Sequence, residues 1–186
     1  MIFYSVCIFL IELEMAKIVF GIGIDIVKVS RIARLVERYG GRFLRRAFHP
    51  LEIARHERYV ASGLVSKGSE FLASRWAVKE ATLKAFNGYR IPFPNVHVLK
   101  GGGDVLVSPP RSAAFGIPFS GGGNAPRLQF DGALAELAAS LRIVEHHVSV
   151  SHEEEHAMAQ VVLLAAVAED AGGGDSSSSS SSSSSV

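Results

Sequence analysis

The 186-residue sequence has one cysteine, Cys7, which excludes a disulfide framework. It has almost no net charge. Nineteen Lys+Arg face 18 Asp+Glu, leaving +1 at neutral pH, which argues against a strongly basic nucleic-acid binder. A chain that is 48% hydrophobic with so little net charge is not an intrinsically disordered one. The apolar run over residues 1–11 is shorter than the ~20 residues needed to span a bilayer. It also lacks the basic start of a secretory signal and the Arg/Ser-rich character of an organellar transit peptide. No membrane partner is expected.

The remaining composition points to one domain with a real core. Residues 1–14 read as a hydrophobic leader of uncertain role, and Met15 is a plausible alternative start. Residues 171–186 hold three glycines, an aspartate and ten serines; such a tract cannot offset its chain entropy and reads as a disordered tail. The folded unit is then residues 15–170, with a Gly/Pro/Ser-rich inserted loop over 109–126.

The near-zero charge conceals a segregation. Between Lys28 and Arg58 nine basic residues meet three acidic ones, a local +6. That stretch is either a solvated helix face or a docking surface for an acidic partner. As a nucleic-acid platform it is poor, because interleaved aromatics are sparse there.

Residues 17–27 alternate as a strand. Ile18, Phe20, Ile22, Ile24 and Ile26 share one face, expected to be buried. The other face carries Gly21, Gly23 and Asp25, and glycine inside a strand implies close approach of a ligand or of another backbone. Helices are expected over 30–39, ended by Gly40-Gly41, over 50–59 with Pro50 in the first turn, and over 70–86. Residues 96–99, 105–107, 127–130, 147–151 and 157–168 read as strands, the last suited to a central position. Asp131 is the expected N-cap of a helix over 132–141. Strands and helices do not alternate strictly, which favours α+β.

On the helix over 70–86, Glu80 and Lys84 project from a strip lined by Ala73 and Ala77. They read either as an i,i+4 surface pair worth about 0.2–0.5 kcal/mol, or as charged groups whose small neighbours leave room for a ligand. Asp25 and Glu80 are hard oxygen donors of the type that holds Mg²⁺ beside phosphates. Arg75, Lys79 and Lys84 are cations that can meet those phosphates. Spacing alone does not bring Asp25 to Glu80.

Three segments carry a resemblance. GIGIDIVKVSRI (21–32), FLASRWAVKEATLKAF (71–86) and VSVSHEEEHAMAQVVL (148–163) resemble the first motif, second motif and C-terminal strand–turn–strand of the holo-(acyl-carrier-protein) synthases, small 4′-phosphopantetheinyl transferases. The resemblance implies an α+β fold in which a small antiparallel sheet packs with a long helix, assembled as a homotrimer with sites at subunit interfaces. It implies transfer of 4′-phosphopantetheine from coenzyme A to a serine of apo acyl carrier protein, releasing adenosine 3′,5′-bisphosphate. Carried over by position, Asp25 and Glu80 are the Mg²⁺ ligands, and the serine proton leaves to Glu80 or to a metal-ordered water. Arg75, Lys79, Lys84 and His152 face the nucleotide and phosphates, although His152 also reads as a hydrogen-bonded turn histidine. Arg31, Leu35 and Arg38 dock the acidic carrier, in agreement with the +6 segment. A non-catalytic carrier-binding scaffold is the alternative, disfavoured because all four of Asp25, Lys79, Glu80 and Lys84 are present. A cytoplasmic enzyme is expected; the leader, loop and tail point to an atypical or eukaryotic source, with a mitochondrial or plastid carrier as the variant of that reading.

Overall fold

The computed structural model describes residues 16–99 and 126–167. The chain runs β1 (Lys17–Lys28), α1 (Val29–Ala47), α2 (Pro50–Ala61) and α3 (Val65–Ala85). A single 3₁₀ turn (Phe93–Asn95) leads into β2 (Val96–Leu99). Then come β3 (Arg127–Phe130), α4 (Gly132–Ser140), β4 (Ile143–Glu153) and β5 (His156–Ala166). The expected α+β class is what is found. β5 is the central strand of an antiparallel sheet ordered β1-β5-β4, and β2 pairs antiparallel with β3. The 105–107 strand, the 109–126 loop apart from Pro126, the leader and the tail lie outside the described residues.

α3 packs across β1 and β5, and its fit explains the glycines. Ala73, Ala77, Ala81 and Ala85 recur every fourth residue and are all 0% exposed. This stripe meets the Gly21/Gly23 face of β1. A Cβ added at Gly21 would lie 2.0 Å from the Ala85 carbonyl oxygen, and one at Gly23 would lie 1.9 Å from that of Ala81. The close approach is therefore that of another backbone. The alanine strip, expected to leave room for a ligand, is instead the helix–strand seam. α3 is buried on most sides, so the apolar–polar division of a surface helix does not apply to it.

The same contact reverses the expectation for β1. Ile18, Ile22, Ile24 and Ile26 are 54–64% exposed, while Phe20 of the same set is partly buried against the core. Alternation separates a strand's two faces, but the face this chain covers is the one that lets a helix come close.

Two helix boundaries also move. α1 does not end at Gly40-Gly41; Gly40 takes φ 52°, ψ −138° as a kink and the helix resumes to Ala47. α3 begins at Val65 rather than at residue 70. α2 and α4 lie within a turn of expectation. Phe43, Phe48, Trp76 and Phe93 form an aromatic cluster between α1, α3 and the 3₁₀ turn, with centroids 5.5–6.4 Å apart. Among the described residues no helix is long and apolar enough to cross a membrane.

Candidate active site

β1 and α3 bring Asp25, Glu80 and Lys84 together. The Lys84 ammonium donates to Asp25 Oδ1 at 2.8 Å and to the Ile24 carbonyl at 2.8 Å. Glu80 is half-buried on the preceding turn of α3. Burial raises its pKa above the usual carboxylate range, Asp25 raises it further, and Lys84 and Arg31 oppose the rise. Asp25 and Glu80 thus share one electrostatic neighbourhood, with Lys84 bonded to Asp25. Arg31, at the start of α1, belongs to the same electrostatic cluster.

Arg75 and His152 also meet. With Tyr59, Lys67, Phe71 and Val150 they line an open groove of about 360 Å³. Arg75 comes from α3 and the exposed His152 from near the end of β4. The Arg75 guanidinium lies 4.7 Å over the Phe71 ring. Burial draws its pKa below the ordinary arginine value, against the pull of Glu52.

Lys79 departs from the expectation of a phosphate-facing cation, because its side chain turns into the core. It is 0% exposed, and its Nζ lies 2.8 Å from Glu52 Oε2, donates to Phe93 O at 3.0 Å and also donates to Val96 O. Those three partners use all three N–H groups of an ammonium. Burial lowers its pKa and Glu52 opposes the shift. Lys79→Ala is expected to cost about 3 kcal/mol, because Glu52 is left as a buried charge with Arg75 as its nearest cation; urea unfolding of the variant would measure it. A loss below ~1 kcal/mol would show that the pair contributes little.

Glu52 was not singled out from sequence. Its signal was the capping box at the start of α2: the His49 ring accepts from Leu51 N–H at 3.2 Å, and Glu52 accepts from the His49 N–H at 3.0 Å. Asp131 departs from expectation in another way. It precedes α4 but makes no side-chain cap. Its carboxylate turns instead to His49 and His97, with Oδ2 at 3.4 Å from His49 Nε2 and 3.0 Å from His97 Nδ1.

On α1, Arg31 and Arg38 are exposed and Leu35 is half-buried. Leu35 lines a shallow groove with Tyr39, Arg42, Phe43 and Arg46. The Arg38 and Arg42 guanidinium carbons sit 5.2 and 5.7 Å from the Tyr39 ring centroid. A basic, partly aromatic helix face thus starts beside the carboxylate pair.

A family model described as the 4′-phosphopantetheinyl transferase superfamily matches residues 21–110. The holo-(acyl-carrier-protein) synthase of Koribacter versatilis is 37% identical over 144 residues, which cover 77% of this chain and 96% of that one. The chain belongs to the holo-(acyl-carrier-protein) synthases. Among solved structures of such synthases, the one from Neisseria meningitidis is 29% identical with a TM-score of 0.59, covering 78% of this chain and 98% of that one. The Helicobacter pylori synthase, solved in complex with coenzyme A, is 27% identical with a TM-score of 0.53, over 76% of this chain and 98% of that one. These synthases share the α+β architecture described above, and the 21–110 match holds Asp25 of β1, the α1 surface and the α3 carboxylate.

Proposed function

We propose that this chain transfers the 4′-phosphopantetheine group of coenzyme A to a serine of apo acyl carrier protein, releasing adenosine 3′,5′-bisphosphate. The observation that carries the reading is the convergence of Asp25, Glu80 and Lys84 at the β1–α3 seam of a chain in this family. The serine oxygen attacks the phosphorus joined to pantetheine, the pyrophosphate bond breaks toward the nucleotide, and the serine proton leaves to Glu80 or to a water beside it. Positioning and charge supply most of such a transfer.

The residues fit Mg²⁺. Two carboxylates held close enough for Asp25 to raise the Glu80 pKa are relieved by a divalent cation, and both offer hard oxygen. When bound, Mg²⁺ would stabilise the charge that grows on the pyrophosphate. The Lys84 ammonium is on hand for the phosphates, and the Arg75–His152 groove is assigned to the nucleotide end of coenzyme A. The test is incubation of the full chain with coenzyme A, Mg²⁺ and several apo carriers. A carrier that gains the phosphopantetheine mass supports the reading; no gain on any carrier overturns it.

The carrier is assigned to the face of Arg31, Leu35 and Arg38. Arg38→Glu is expected to raise KM for the carrier about tenfold or more with kcat nearly kept, since opposed charge changes encounter rather than chemistry. The gap should narrow as salt screens it, and steady-state kinetics at two ionic strengths would read both effects.

Assembly as a homotrimer is proposed for the exposed row of Ile18, Ile22, Ile24 and Ile26. A row of that kind needs a cover in water. Light scattering is expected to give three chains per particle, and Ile24→Glu to give a smaller species. A wild-type monomer would sink the assignment.

A further inference from the structure

His49, His97 and Asp131 have no part in the transfer described above, yet they converge. His49 precedes α2, His97 lies on β2, and Asp131 precedes α4. One ligand atom from each lies within 4.8 Å of the others. The two imidazoles stack, with centroids 4.0 Å apart and planes 16° from parallel. Both turn a nitrogen to the same oxygen, Asp131 Oδ2, at 3.4 and 3.0 Å.

Hydrogen bonding accounts poorly for this arrangement. His97 is 6% exposed, and its Nδ1, although 3.0 Å from the carboxylate, makes no hydrogen bond. Asp131 gives up the capping role that its position before α4 offers. The aspartate is also held in place: its N–H donates to Asn95 O at 2.9 Å, and its carbonyl accepts from Asn95 Nδ2 at 2.7 Å.

We propose that His49, His97 and Asp131 form a binding site for a divalent transition metal, Zn²⁺ in particular, separate from the Asp25–Glu80 pair. The spacing suits it. Ligand atoms about 2.0–2.2 Å from tetrahedral zinc stand roughly 3.3–3.5 Å from one another. The two measured separations from Asp131 Oδ2, 3.0 and 3.4 Å, are close to that, while the near-parallel stacking of the rings requires one imidazole to turn before both lone pairs meet one ion. The donor set narrows the ion, because two imidazoles and one carboxylate suit zinc, cobalt, nickel, copper or ferrous iron and do not suit magnesium. Side-chain exposure of 42% at Asp131 leaves an entry path and room for a water as fourth ligand. Binding through His49 Nε2 moves the ring proton to Nδ1 and gives up the bond from Leu51 N–H. The ion would tie the β2–β3 pair and the start of α4 to the start of α2. The ion would add to stability there, beside the Glu52 that accepts from the His49 N–H and holds Lys79.

The test uses the full chain, stripped with chelator and kept in excess Mg²⁺ so that the carboxylate pair is occupied. Zn²⁺ is titrated and followed by native mass spectrometry and thermal unfolding; Co²⁺ is followed by its visible absorption. One equivalent of Zn²⁺ per chain, a raised Tm, and the intense visible bands of four-coordinate Co²⁺ are expected. His49→Thr, which keeps a capping oxygen, and Asp131→Asn should each abolish all three while the circular dichroism stays that of a folded chain. His152→Ala should retain them. No stoichiometric Zn²⁺ on the wild type, or undiminished Zn²⁺ on His49→Thr and Asp131→Asn, overturns the proposal.

Discussion

Glu80→Ala is expected to slow phosphopantetheine transfer by at least about 10²–10³-fold, the scale seen when one preorganised electrostatic partner is removed from a transition state. Asp25→Ala should act alike. The distinguishing feature is stability. Burial and Asp25 both disfavour the charged form of Glu80 in the fold. A carboxyl group with a raised folded pKa binds its proton more readily folded than unfolded, so at neutral pH its charge works against folding. Removing it should leave the thermal midpoint unchanged or higher while activity collapses, the trade-off of a site kept for chemistry. Carrier mass after incubation with coenzyme A and Mg²⁺ measures the first quantity, and a thermal melt the second. Normal turnover in either variant would remove the two carboxylates from the mechanism.

Gly23→Ala is expected to have the largest effect on folding. The added Cβ would stand 1.9 Å from Ala81 O, 2.7 Å from Ala85 N and 2.9 Å from Ala81 C, all of them backbone atoms. No rotamer change relieves such overlap, so α3 must leave β1. A loss above about 4 kcal/mol, or failure to fold, follows from that mechanism. Gly21→Ala meets Ala85 O at 2.0 Å and should behave similarly. Gly41→Ala is the control, because its new methyl would meet only the far end of the Arg45 side chain at 3.0 Å; a change within about 1 kcal/mol is expected there. Soluble yield and urea midpoints of the three variants would decide it. A stable, soluble Gly23→Ala protein would mean that the seam is looser than drawn.

Much of this was legible in the sequence because period and punctuation carry it. β1 follows from alternation, β5 from its apolar run and α2 from Pro50, α4 lies where expected although Asp131 does not cap it, and Asp25 and Glu80 stand out as carboxylates among glycines and alanines. The buried face of β1 was not legible, since hydrophobicity favours the isoleucines while covering by α3 depends on backbone approach. The role of Lys79 was hidden for a different reason. Its partner Glu52 lies 27 positions away on another helix, and no local pattern relates them. His49, His97 and Asp131 likewise converge only through the fold, from the ends of separate elements.

β1 is also an edge strand, and its apolar face is bounded by Lys17 and Lys28, one at each end. Charges so placed discourage stray strand pairing. Assembly of the proposed kind, with copies covering the isoleucines, would make folding and association one equilibrium governed by mass action. Dilution would then be a stress on this protein comparable to heat. The lowest concentration at which such an assembly holds together, rather than its melting temperature, would then set the practical limit of its lifetime in solution.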